Sequence, residues 1–275
     1  MTRQRIIAVT AAGSLSVVLL APSVVWGDAL TPESGGSPNA DQIDSLYKLV
    51  FSVAVAVFVG VAGTLIYSLI RFKAGRGRVA AQIRGNTRLE IAWTLGAALI
   101  LVVLTTITFL KLGTITHPSE AAPVVATAGP SAGAEATPGM PPPGAGHMRI
   151  EVSGQQYIWS FRYPGGMRVY EEMVVPTGTT VLLDIVSKDV AHSWWIPKLG
   201  GKADAIPGYT NHSWFRISRP GVFRGQCAEL CGRNHADMIA HVRAVSPARF
   251  RAWLAAQQRD TAAARSRLDS TPSAP

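Results

Sequence analysis

The chain has 275 residues, 48% hydrophobic and only 16% charged, with a mean hydropathy of +0.20; a soluble protein carries about 25% charge, which argues against a purely soluble chain. Twenty-six Lys and Arg against seventeen Asp and Glu give a formal charge of +9. The excess is not gathered on a folded domain as a nucleic-acid footprint requires, because the run 71–88 holds Arg71, Lys73, Arg76, Arg78, Arg84 and Arg88 with no acid.

Residues 1–27 begin with Arg3 and Arg5, continue as an uncharged apolar stretch from Ile6 to about Leu20 and reach Gly27 through neutral residues. That order predicts an export signal that is removed, with a retained anchor helix as the alternative. A transmembrane hairpin is expected over 41–112. Its helices run about 46–70 and 91–111, each near the roughly 20 residues that cross a bilayer. The basic loop 71–88 between acid-bearing flanks places that loop in the cytoplasm and both flanks outside. From 113 to 147 the chain is Ala, Pro, Gly, Ser and Thr, including Pro141-Pro142-Pro143, and reads as a linker.

Residues 148–247 change character. Short runs rich in Val, Ile, Tyr, Trp and Phe, broken by Gly and Pro, predict strands at 149–153, 156–163, 168–175, 180–187, 213–218, 221–225 and 238–245, spaced as in an all-β sandwich or barrel. Ser246-Pro247 then caps a short C-terminal helix through about Gln258, with Phe250, Trp253 and Leu254 on one face. The last fifteen residues read as a disordered tail.

The run Cys227-Ala-Glu229-Leu-Cys231-Gly-Arg-Asn-His235-Ala-Asp-Met238, with His192 upstream, carries the chemistry. Two thiols, two imidazoles and a thioether are donors that suit copper, and Met238 has no place in a zinc site. The two cysteines set the ceiling at one bridge or one metal site. A structural disulfide, a mononuclear zinc site and a one-cysteine blue copper site remain alternatives at this level, although two thiolates suit a pair of metals better than one.

With these residues the chain resembles subunit II of the haem-copper cytochrome c oxidases. The family motif C-x-E-x-C-x3-H-x2-M is met by Cys227, Glu229, Cys231, His235 and Met238; Val190-Ala-His-Ser-Trp194, Lys202-Ala-Asp-Ala-Ile-Pro-Gly208 and Arg219-Pro-Gly221 extend the likeness over about 200 residues, Ser45 to Trp253. The resemblance implies a cupredoxin domain with a dinuclear copper A centre. Its two copper ions would be bridged by Cys227 and Cys231, with one of His192 and His235 on each, and Met238 and the Glu229 carbonyl as weak axial ligands.

It further implies magnesium at the subunit I interface near the Glu229 side chain and Asp204, and Glu90 at the cytoplasmic mouth of a proton path, where the helix dipole also favours an acid. Tyr157 and Trp159 fall in the electron-entry segment, with Tyr157 where the family usually has an exposed tryptophan. The implied role is subunit II of an aa3-type oxidase in a bacterial plasma membrane, with its copper domain on the outer face. Its partners would be subunits I and III and membrane lipid, with a cytochrome c or a membrane-bound cytochrome as donor. Electrons pass to haem in subunit I for oxygen reduction coupled to proton pumping. No haem is expected in this chain, which lacks a C-x-x-C-H motif. A nitrous oxide reductase and a membrane-anchored copper-delivery protein are the rival readings; the two spans and the length count against the first.

Overall fold

The computed structural model describes residues 31–73, 82–118 and 147–270. The expected export signal 1–27, the middle of the basic loop and all but the ends of the expected linker lie outside these residues.

Helix α1 spans Pro38–Arg71, with Pro38 at its first turn, where the missing N–H costs nothing, and Asp41 facing the helix dipole. Helix α2 spans Thr87–Thr116. Asn86 caps it, accepting from Leu89 N–H at 3.2 Å while its own N–H donates to Glu90 Oε1 at 3.2 Å, so Glu90 takes part in the N-terminal cap. Both helices outrun the expected apolar cores by several residues at their outer ends, where polar side chains continue the helical pattern. Lys111 Nζ joins them there, donating to Ser45 Oγ at 2.6 Å. Both carry long apolar surfaces exposed along the helix, Phe58, Leu69, Phe109 and Leu110 among them, and both are long and apolar enough to cross a membrane.

The β domain comprises β1 (His147–Gln155), β2 (Ile158–Arg162), β3 (Arg168–Tyr170), β4 (Glu172–Pro176), β5 (Thr180–Ser187), β6 (His192–Trp195), β7 (Ala203–Ala205), β8 (Asn211–Arg216), β9 (Gly221–Cys227) and β10 (Ile239–Val245). One sheet has the order β3-β2-β1-β5-β8 and the other β4-β10-β9-β6-β7. Alternating residues from both meet in one core: Ile150, Val152, Phe161, Val181, Leu183 and Phe215 against Met173, Val175, Trp194, Ala240 and Val242. The single run expected at 168–175 is two strands in different sheets, hinged at Glu171, whose φ of 62° is the left-handed turn that redirects the chain.

Helix α3 runs Pro247–Ser270, past the Gln258 end expected from its apolar face. Phe250 and Trp253 pack their rings at a tilt against Tyr163, while the Ala- and Arg-rich continuation is helical by propensity, which the expectation of a tail from 261 onward undervalued.

The helices grip the β domain at β8. Asn39 Nδ2 donates to the Trp214 carbonyl at 2.8 Å, Arg216 N–H donates to Ser37 Oγ at 3.1 Å and Trp214 Nε1 donates to the Ile115 carbonyl at 2.9 Å. Gly36 and Gly200 make this approach possible: a Cβ on Gly36 would lie 2.3 Å from the Lys198 carbonyl oxygen, and one on Gly200 2.6 Å from Asn39 Nδ2.

Candidate metal centre

Three structural pieces converge at one end of the sandwich. His192 opens β6, Cys227 closes β9, and the turn between β9 and β10 supplies Cys231, His235 and Met238. The β6–β9 pairing sets Trp194 against Cys227, and Cys227 N–H donates to the Met238 carbonyl at 2.9 Å, closing the base of the loop.

The Cys227 and Cys231 sulfurs are 3.9 Å apart, and both thiols are free and buried. A disulfide needs about 2.05 Å. Each sulfur faces its own imidazole: His192 Nδ1 lies 3.8 Å from Cys227 Sγ, and His235 Nδ1 3.6 Å from Cys231 Sγ. Met238 Sδ is 3.8 Å from Cys231 Sγ, and the Glu229 carbonyl oxygen 3.3 Å from Cys227 Sγ. The donor set is therefore two thiols, two ring nitrogens, a thioether and a carbonyl, soft and borderline ligands that fit copper and give Met238 a place that zinc would not use. His192, Cys227 and Cys231 form the metal-competent group found among the described residues.

Without a metal the Cys231 thiol keeps its proton. Burial pushes the Cys231 thiol up to about 11, and the neighbouring Cys227 adds to the rise. A metal must displace that proton, so loading is linked to pH.

His192 is fully buried and held by Asp189. The Asp189 Oδ1 accepts from His192 Nε2 at 2.8 Å and from Val190 N–H at 2.7 Å, while Oδ2 accepts from Gln156 N–H at 2.7 Å. Burial raises the Asp189 carboxyl, but these three donors outweigh it and hold the group below its usual range. The Nε2 contact leaves His192 Nδ1 facing the sulfur. Asp189→Ala should therefore lower copper affinity about 10–100-fold, measured by chelator competition, with Asp189→Asn recovering part of the loss. An affinity unchanged in the alanine variant would remove Asp189 from this role.

Neither Asp189 nor Gln156, whose Nε2 donates to the Cys231 carbonyl at 2.7 Å, was singled out from the sequence. The signal for Asp189 was its place three residues before His192. Of the other expected residues, Trp159 is fully buried, edge-on to His192 with ring centroids 5.9 Å apart. Tyr157 lies against the metal loop, its hydroxyl accepting from Arg233 N–H at 3.1 Å. Gly154 lets Trp159 and His192 meet, since a Cβ there would fall 2.9 Å from His192 Cδ2. Asp204 is exposed in β7, opposite Ser193 of β6. The Glu229 side chain is exposed on the loop. Glu90 sits at the far end of the hairpin in the α2 cap, apart from this cluster.

Residues 165–245 match the family described as cytochrome C oxidase subunit II, periplasmic domain, and residues 25–111 match its transmembrane domain. A cytochrome c oxidase subunit 2 from Alkalihalophilus pseudofirmus is 34% identical over 223 residues, covering 79% of this chain and 60% of the relative's length. Another, from Cereibacter sphaeroides, is 31% identical over 287 residues and covers 88% of this chain and 86% of the relative. The crystal structure of the periplasmic domain of subunit II of cytochrome oxidase from Bradyrhizobium japonicum shares 33% identity at a TM-score of 0.40, over 41% of this chain and 94% of that one.

Proposed function

Because the chain belongs to the cytochrome c oxidase subunit II family, we propose that it is the electron-receiving subunit of an aa3-type haem-copper oxidase, taking single electrons at a dinuclear copper A centre and passing them to haem in subunit I. There oxygen is reduced and protons are pumped. The chain is a membrane protein with two spanning helices and its β domain outside.

The observation that carries this reading is the pairing of two adjacent thiols, each with its own imidazole nitrogen. His192, Cys227, Cys231, His235, Met238 and the Glu229 carbonyl would hold two copper ions, which when bound supply storage of one electron shared across both metals. The chain's own part is to keep those donors from moving. The β6–β9 pairing, the Asp189 contact and the Gln156 bond to Cys231 fix the first ligands from three sides, so a change of charge meets a stiff cage.

Tyr157, against the loop, and Trp159, against His192, form the electron-entry side. The Glu229 side chain and Asp204 would meet magnesium at subunit I, and Glu90 would stand at the cytoplasmic entrance of a proton path. Subunit III and a cytochrome donor complete the assembly. Residues 1–27 would be removed on export, and 113–147 would link hairpin to copper domain.

Copper counting with electron paramagnetic resonance on the full chain in detergent tests the centre. Two coppers per chain sharing one unpaired electron are expected; one copper with a mononuclear signal, or zinc in its place, would overturn the proposal.

A further inference from the structure

The tip between β1 and β2 reaches both halves of the metal centre. On one half, Gln156 N–H donates to Asp189 Oδ2 at 2.7 Å, and the same carboxylate accepts from His192 Nε2 at 2.8 Å. On the other, Gln156 Nε2 donates to the Cys231 carbonyl at 2.7 Å, and the neighbouring Tyr157 hydroxyl accepts from Arg233 N–H at 3.1 Å. Both side-chain ends converge on Gly232, where a Cβ would lie 2.7 Å from the Tyr157 hydroxyl oxygen and 2.8 Å from Gln156 Nε2. Gly232, with a φ of 133° that favours glycine, thus leaves the opening into which the two side chains fit.

The two rings of this segment differ in what they touch. Trp159 is fully buried, so a donor outside the domain does not meet its ring. It faces His192 edge-on, and its Nε1 has no hydrogen-bond partner among the described residues. Tyr157 is half-buried and hydrogen-bonded to the metal loop. From Arg233 N the main chain runs through Gly232 to Cys231 and its sulfur. A hydrogen bond followed by covalent bonds carries electronic coupling better than a gap between two rings does.

We infer that electrons enter through the Tyr157 hydroxyl and the Arg233–Gly232–Cys231 main chain, and that Gln156 is the positioning residue that holds this hydroxyl on the loop. The route presupposes the copper centre and the electron entry at Tyr157 proposed above. One electron leaves a reduced carrier and arrives at the copper pair; no bond forms or breaks and no proton moves. Gln156 meets Cys231 at its carbonyl and Asp189 through its own main-chain N–H. Truncating its side chain therefore spares the Asp189 contact and every ligand atom, and removes the bond that seats the dipeptide on the loop.

The assembled oxidase, mixed rapidly with reduced cytochrome c at saturating concentration, yields the first-order rate of copper reduction apart from docking. Tyr157→Phe and Gln156→Ala should each slow that rate several-fold. The double variant should be no slower than Tyr157→Phe alone, because a residue that acts through the hydroxyl then has nothing left to position. Copper count, paramagnetic resonance signal and reduction potential should match wild type in all three. In the metal-free full chain, hydrogen exchange at the Arg233 amide should quicken in each variant, which reads the contact without copper. Copper reduction at the wild-type rate in Tyr157→Phe would overturn the route. An unslowed Gln156→Ala would overturn the positioning role. So would slowing that adds fully to that of Tyr157→Phe, or that comes with an altered signal or potential, since a general loosening of the copper cage does both. A wild-type oxidase without the two-copper, one-electron signal would instead sink the copper reading, and the route with it.

Discussion

Cys227→Ser and Cys231→Ser should each abolish the shared-electron copper signal and cut donor-driven oxygen consumption by more than about 100-fold, beyond the 10–100-fold that loss of an outer partner costs. The reason is the geometry of the pair. Each sulfur faces one imidazole and its neighbouring sulfur, so removing either leaves donors for one metal at most. A serine hydroxyl is a hard donor that keeps its proton at neutral pH, where a thiol yields to copper. Both cysteines are buried, at 2% and 4% exposure, and serine is nearly the same size, so the sandwich should still fold. Circular dichroism unchanged with copper content at one or none per chain is the expected pair of results. A two-copper, one-electron signal surviving in either variant would show that the metals are not held between these sulfurs.

Gly225→Ala should be the most damaging single methyl group in the domain outside the metal loop. A Cβ at Gly225 would lie 2.0 Å from the Trp195 carbonyl oxygen, 2.5 Å from Ile196 Cδ1 and 2.9 Å from Ile196 Cα. Two of those atoms are main chain, so no rotamer change relieves the overlap and β6 must move away from β9. Overpacking of this kind costs about 3 kcal/mol when the backbone has to shift, or a fall in Tm of roughly 10 °C for a domain of this size. His192 rides on β6 and Cys227 on β9, so copper occupancy should fall along with stability. Gly221→Ala in the same strand is the control. Its nearest neighbour would be Phe223 Cε2 at 3.7 Å, ordinary contact, and its Tm should stay within a few degrees of wild type. Equal melting of the two variants would remove the steric argument.

The sequence made the metal loop legible because its ligands lie within twelve residues and their chemistry differs from that of an ordinary core. The hairpin was legible for a similar reason, since long uncharged runs have few alternative uses. What pattern could not reveal was connectivity. The run 168–175 alternates as one strand would, yet it divides at Glu171 between two sheets, because the period of side chains is the same on either side of a sheet switch. Strands β6 and β7 are four and three residues long, too short to show a period, and they exist through pairing, β6 with β9 and β7 with β6, rather than by propensity. Asp189 escaped notice because an acid in a turn is unremarkable until the imidazole it holds is seen.

The grip of Ser37, Asn39 and Ile115 on β8 means that the pose of the β domain over the bilayer is set by non-covalent closure, not by the peptide that joins α2 to β1. A domain on a tether would sweep through many orientations and meet its acceptor only in a fraction of them. One clamped from two helix ends keeps a constant height and azimuth, so the gap an electron must cross is a property of the fold. The connecting peptide over 119–146 is thereby relieved of any duty as a ruler.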